Sequence, residues 1–149
     1  MELTYQGLRI VIPFGGAIGV EAFTLEASFN QHVYVEILLL ADEDVIETAI
    51  HEIADGDSIT VYGEIQEMPL FSGKITDAGM VNRKGLCCLT LKAVSHTAQW
   101  DLVPESRSFQ NPDASYGQVM RRVLENLPEA EIMDCLTDGA AAGGFLLQY

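Results

Sequence analysis

The sequence is short of positive charge. Its 149 residues hold eight lysines and arginines against twenty-two aspartates and glutamates, a net charge of −14 with histidine neutral. The deficit is uneven. Residues 1–73 carry thirteen acids and a single base, Arg9, whereas residues 74–149 carry nine acids and seven bases. A phosphate backbone repels such a surface unless the bases cluster, and the only basic pairs are Arg83-Lys84 and Arg121-Arg122. These numbers argue against sequence-specific nucleic-acid recognition. The acidity reads as a solubility device; the sharper reading is the lining of a channel or a face for a basic partner.

Long apolar runs are missing too. The longest, residues 37–41, falls far below the roughly 18 residues that a membrane span needs and suits a buried strand. Residues 1–12 lack the basic start, apolar centre and small-residue cleavage site of a secretion signal. No stable membrane association is expected. Cysteine is scarce and odd in number: Cys87, Cys88 and Cys135. Adjacent cysteines in a strand point to opposite faces, so Cys87 and Cys88 cannot readily share a metal or a disulfide partner. Free thiols in a reducing compartment follow.

The usual constellations of catalysis are also missing. No cysteine–histidine spacing fits a zinc site, and no Gly-x-Ser-x-Gly turn presents a nucleophile. His32, His51 and His96 form no metal-binding pair and read as surface or strand-end residues. A Cys88–His96 dyad is conceivable, but a cysteine in mid-strand is better read as a buried, inert thiol. Asp42, Glu43, Asp44 and Glu47 lead straight into an apolar helical stripe, so helix capping explains them better than calcium binding. Gly15, Gly16 and Gly19 lack the lysine and hydroxyl of a phosphate loop. Trp100 and Tyr116 read as packing residues, and no aromatic stripe with interleaved bases forms a stacking platform. Together these absences favour a structural or binding module over an enzyme, with neither metal nor cofactor.

What is present is a core. Apolar residues make up 48% of the chain, which excludes wholesale disorder. Period-two alternation and turn residues predict strands over residues 3–12, 20–29, 32–40, 58–65, 70–77 and 86–94. In the last of these, Leu86, Cys88, Thr90 and Lys92 face one way and Cys87, Leu89, Leu91 and Ala93 the other. Gly73 in mid-strand marks a bend or bulge. Val45, Ile46, Ala49, Ile50 and Ile53 recur at helical spacing behind an Asp42 N-cap, with Gly56 as the stop. A short helix capped by Ser95 is expected over residues 95–102. An amphipathic helix is expected over 115–127, with Tyr116, Val119, Met120, Val123, Leu124 and Leu127 on its apolar stripe. Residues 132–136 read as a short strand, and 138–144 are rich in small residues. Residues 145–149 read as a strand that begins as the chain stops, leaving backbone groups without partners. The expected architecture is mainly β, of the α+β kind: a closed or partly open antiparallel barrel with one short and one longer amphipathic helix.

The segment from Leu89 onward is distinctive. The strand Leu89-Thr90-Leu91-Lys92-Ala93-Val94 runs into Ser95-His96-Thr97-Ala98-Gln99-Trp100-Asp101. Then come Arg107-Ser108-Phe109-Gln110 and the Ser115-Tyr116 pair that opens a helix bearing Val119 and Leu124. This order resembles the first domain of phage late control protein D and related prophage baseplate hubs, a head region shared by the spike proteins of type VI secretion. The final Leu146-Leu147-Gln148-Tyr149 resembles the entry to that family's second domain.

The resemblance implies that residues 1–149 are the first β-barrel domain of a hub whose chain continues into a second barrel. It implies a homotrimer in which six barrels form a ring of pseudo-sixfold symmetry. That ring joins the tail tube to the central spike, in the baseplate of a virion tail or contractile injection particle made in the bacterial cytoplasm. Arg107, Phe109, Gln110 and Tyr116 are its candidate interface residues: Phe109 packs under the helix with Tyr116, and Arg107 pairs with an acid. The competing reading is a stand-alone β-barrel module that binds a small ligand or peptide.

Overall fold

The computed structural model describes residues 1–29, 31–53, 56–65, 67–101, 107–109, 111, 113–125 and 146–148; for Trp100 and residues 107–109 and 146–148 it describes the backbone alone. The chain divides into two compact units, Met1–Asp101 and Leu102–Tyr149.

The first unit is one antiparallel sheet of seven strands: β1 (Glu2–Tyr5), β2 (Leu8–Val11), β3 (Gly19–Glu26), β4 (Tyr34–Leu40), β5 (Ser58–Gly63), β6 (Pro69–Arg83) and β7 (Leu86–Ser95). Their spatial order is β1-β2-β5-β6-β7-β4-β3. The edge strands β1 and β3 come within contact distance of each other, yet no ladder joins them. The sheet is therefore a partly open barrel, as the strand pattern predicted.

One helix, α1 (Glu43–Glu52), links β4 to β5 and inserts Ile46 and Ala49 into the interior. The side chains that fill the barrel come from alternate positions: Ile10 of β2, Val35, Ile37 and Leu39 of β4, Ile59 and Val61 of β5, Phe71 of β6, and Leu89, Leu91 and Ala93 of β7. Burying such side chains contributes about 1.5–3 kcal/mol each. β7 divides its faces as the alternation predicted, with Leu89, Leu91 and Ala93 in the core while Lys92 is exposed.

Several boundaries differ from the sequence reading. Residues 3–12 are two strands, because Gln6 (φ 47°) and Gly7 (φ 79°) make a two-residue left-handed turn that folds β2 back on β1. The strand expected over residues 70–77 continues to Arg83, so β6 and β7 form a long hairpin closed by Lys84 (φ 54°) and Gly85 (φ 83°). Asp42 occupies the N-cap of α1, but its side chain makes no capping bond; the acids Glu43 and Asp44 supply the favourable charge instead. The helix closes at Ile53 rather than at Gly56. Residues 95–102 hold a 3-10 turn, His96–Asp101, in place of an α-helix.

Three bulges shape the barrel wall, at Val20/Ala22, Val61/Tyr62 and Ile75/Asp77. Gly73 lies between the last two in sequence. A Cβ there would sit 2.2 Å from the Val94 carbonyl oxygen and 2.5 Å from the Phe71 ring. The glycine lets two strands and an aromatic side chain meet where the sheet bends.

In the second unit, β8 (Arg107–Phe109) pairs antiparallel with β9 (Leu146–Gln148). The terminal strand thus finds a backbone partner inside the chain, contrary to the expectation that its groups would lack one. Helix α2 (Tyr116–Val123) stops before Asn126 and Pro128, neither of which favours a helix interior. The strand expected over 132–136, the small-residue stretch 138–144, and Cys135 lie outside the described residues.

Substituting Gly73 by alanine should lower stability by about 3 kcal/mol, because the neighbouring atom is backbone and cannot swing aside. Urea denaturation checks this. A loss below about 1 kcal/mol would mean that β6 and β7 are not in this close contact.

Candidate functional site

Of the residues singled out from sequence, Arg107 and Phe109 lie on β8. Their ladder partners are Gln148 and Leu146, with Ser108 opposite Leu147. Two of the segments that carry the family resemblance are therefore neighbours in one small ladder. The side chains of Arg107 and Phe109, and all of Gln110, lie outside the described residues, as do the expected contacts of Arg107 with an acid and of Phe109 with Tyr116. Tyr116 opens α2 and is 43% exposed, so the expected packing role is at most half met. Met120, on the same stripe, is as exposed, and Gly117 is the buried residue of the helix.

The start of α2 is built by local hydrogen bonds. Asn111 Oδ1 accepts from the Asp113 amide at 3.0 Å, turning the chain. Ser115 Oγ then accepts from the Gln118 amide at 3.2 Å, and Gln118 Oε1 accepts from the Ser115 amide at 3.1 Å. This reciprocal pair is a capping box, and it fixes where the Ser115-Tyr116 helix begins. The last turn carries Arg121 and Arg122, and Arg122 pairs with Glu125.

A polar network that sequence reading missed lies in the first unit. His32 Nε2 is 2.7 Å from Asp101 Oδ2, and its Nδ1 is 3.0 Å from Thr97 Oγ1. Thr97 Oγ1 is 2.7 Å from Ser95 Oγ, which accepts from the Val33 amide at 3.2 Å. Carboxylate, imidazole and hydroxyl are the groups of a nucleophilic triad. Here both hydroxyls are tied to each other and, through Ser95, to the backbone. The clefts described below include none of His32, Thr97 or Asp101. The network acts as a strap that fastens the 3-10 turn to the chain entering β4. Ser95 serves this strap and does not cap a helix. No local signal marks it, since His32 is 65 and 69 residues from its partners.

The other candidates resolve as structural. His96 bonds to Gln99 and does not meet Cys88. Gly16 (φ 92°) would bring a Cβ within 2.8 Å of Val45, so the glycine lets the β2–β3 connection lie on α1. Among the described residues no three His, Cys, Asp or Glu side chains converge on one point, and no helix is long and apolar enough to cross a membrane.

Two clefts remain. One, of about 280 Å³, lies between α1 and the connection after β2. Phe14, Val45, Ala49 and Ile53 are among its apolar lining residues, and its acids are Asp44, Glu52 and Asp57. The other, of about 460 Å³, is a shallow depression on the outer face of the sheet, lined by Thr24, Glu36, Leu38, Arg83, Thr90 and Lys92 among others. No family model matches the chain, and no curated protein matches it.

Two measurements test this description. Burial pushes the Cys88 thiol above its ordinary value, with Glu21 and Cys87 adding to the effect. A maleimide should therefore label half-buried Cys87 before buried Cys88; equal rates near neutral pH would contradict the burial. His32→Ala should lower unfolding free energy by about 1–2 kcal/mol by removing two hydrogen bonds. Asp101→Asn should cost less than about 1 kcal/mol, because that carboxylate is 77% exposed. A neutral His32→Ala would dismiss the strap.

Proposed function

We propose that the chain is the first barrel domain of a baseplate hub, a non-enzymatic ring component of a phage tail or related contractile injection machine. The observation that carries the reading is the adjacency of the two family-like segments. Arg107-Ser108-Phe109 and Leu146-Leu147-Gln148 follow a barrel in the family's order and pair in a single ladder. The Ser115-Tyr116 helix between them starts at a capping box. A partly open antiparallel barrel is compatible with this role.

In this reading the chain acts as part of a homotrimer. A threefold hub carrying two similar barrels per subunit offers six near-equivalent contacts to a sixfold tube, which is the physical reason for the doubling. Its partners are the tail tube protein and the spike protein, and its place is the baseplate. Acidic side chains facing the lumen let DNA or cargo pass without adhering. The second reading, a stand-alone module for a small ligand or peptide, is favoured by the depression that brings Glu36, Lys92 and Arg83 together with Leu38 on the sheet's outer face.

The test is co-expression of the complete reading frame with the tube and spike proteins encoded beside it. A trimer that retains both on purification supports the hub. A monomer that retains neither, yet binds a small ligand saturably, moves the second reading to first place. Within the hub, Arg107→Ala should reduce assembled baseplates only if Arg107 pairs across subunits. As a surface pair inside one subunit it contributes about 0–1 kcal/mol, and complete particles would then still form.

A further inference from the structure

The charges of the first unit are sorted by strand. The β6–β7 hairpin, residues 69–95, carries Lys74, Arg83, Lys84 and Lys92 against one acid, Asp77. The rest of residues 1–101 carries fourteen acids against one base, Arg9. Arg9 is occupied on the barrel wall, 3.5 Å from Glu2 and with its guanidinium 4.4 Å from the centre of the Tyr62 ring. Every other base of this unit therefore rides on the hairpin.

The hairpin tip is more than a charged turn. Its ladder with β5 ends at Lys74, so beyond the Ile75/Asp77 bulge β6 pairs with β7 alone. Arg83 and Lys84 are exposed at the end. Beside them Met80, Val81 and Leu86 are 43%, 39% and 56% exposed. An exposed apolar group edged by bases is the composition of a docking tip. The cleft on α1 has the complementary composition: an apolar lining from Phe14, Val45, Ala49 and Ile53, three acids, and no base among its lining residues.

We infer that the hairpin tip is a docking element whose partner is the α1 cleft of a second copy of this chain. The aliphatic stems of Arg83 and Lys84 meet the apolar lining, and their charged ends meet Asp44, Glu52 and Asp57. The overall charge of −14 opposes association at long range only. Near physiological salt the Debye length is about 8 Å, so the groups in contact decide the outcome. Tip and cleft are different patches of one chain, so the contact is heterologous and can propagate around a ring. The inference rests on the sorting of charge and stands or falls apart from the hub reading, which the tube and spike experiment tests.

Sedimentation of the whole chain at about 0.1 M salt should show self-association that disappears at about 1 M. Arg83→Glu with Lys84→Glu should weaken it at least about tenfold, and so should Asp44→Lys with Glu52→Lys. All four substitutions lie at exposed positions, and each variant is checked for an unchanged melting temperature. The decisive step is mixing. Each double variant alone repels its own copies, but an equimolar mixture restores tip-to-cleft contacts between unlike copies and should associate again. A monomeric original chain, association indifferent to these reversals, or a mixture that stays monomeric overturns the inference.

Discussion

The register of β7 is the constraint on which the rest of the first unit depends. β7 lies between β4 and β6 and pairs with both: residues 88–94 with residues 40–34 on one side, and residues 86–95 with residues 83–73 on the other. Leu89 and Leu91 are fully buried against Ile37 and Leu39, also fully buried. A slip of one residue would turn these side chains to the outer face and bring Lys92 inward. That exchange would cost several kcal/mol per buried charge, so the register is fixed by the pattern itself. Once it is fixed, so are the positions of the hairpin tip, the bulge beside Thr76 and the strap at Ser95.

The curvature follows from small features placed along this frame. Gly73 lets β6 pass against Val94 and the Phe71 ring, and the bulge two residues later redirects the strand. The sheet bends enough to bring β1 near β3 without pairing them. Helix α1 then fills the interior with Ile46 and Ala49, while its exposed side keeps the acids. The acids of α1 thus stay on its exposed side, and Arg83, Lys84 and Lys92 take exposed positions on the β6–β7 hairpin.

What could be read from sequence was what strong period-two or helical patterns carry. The faces of β7, the interior of β4, the stripe of α1 and the special role of Gly73 were all legible, because each is a local pattern bound to burial. The β1–β2 turn was not, although Gly7 marked it and the alternation changes phase there, from Leu3 and Tyr5 at odd positions to Leu8, Ile10 and Ile12 at even ones; each half is too short for its own rhythm to stand out. The extension of β6 to Arg83 was hidden by the polar residues that solvent exposure permits. The His32–Thr97–Asp101 strap was invisible because its members meet only after the sheet has formed. Of the four residues proposed for an interface, Tyr116 is half open and the backbone of Arg107 and Phe109 lies beside Leu146–Gln148, an adjacency no spacing rule foretells.

The two proposals make different demands on the same acids, and this limits how they can coexist. Acids seated against a neighbour's Arg83 and Lys84 are removed from the lumen. Those of the α1 cleft, Asp44, Glu52 and Asp57, then face subunit contacts. The exposed acids left for a channel lining include Glu21 and Glu26 of β3 and Glu36 of β4. Glu36 shares the outer depression with Lys92 and Arg83, and partial neutralisation there lowers the field that a passing polyanion meets. A ring built by tip-to-cleft contacts would therefore present β3, rather than α1, toward a repelled cargo. In that proposed ring Glu21 and Glu26 of β3 would carry the charge that a passing polyanion meets, while the bases of the hairpin tip would be occupied at subunit contacts.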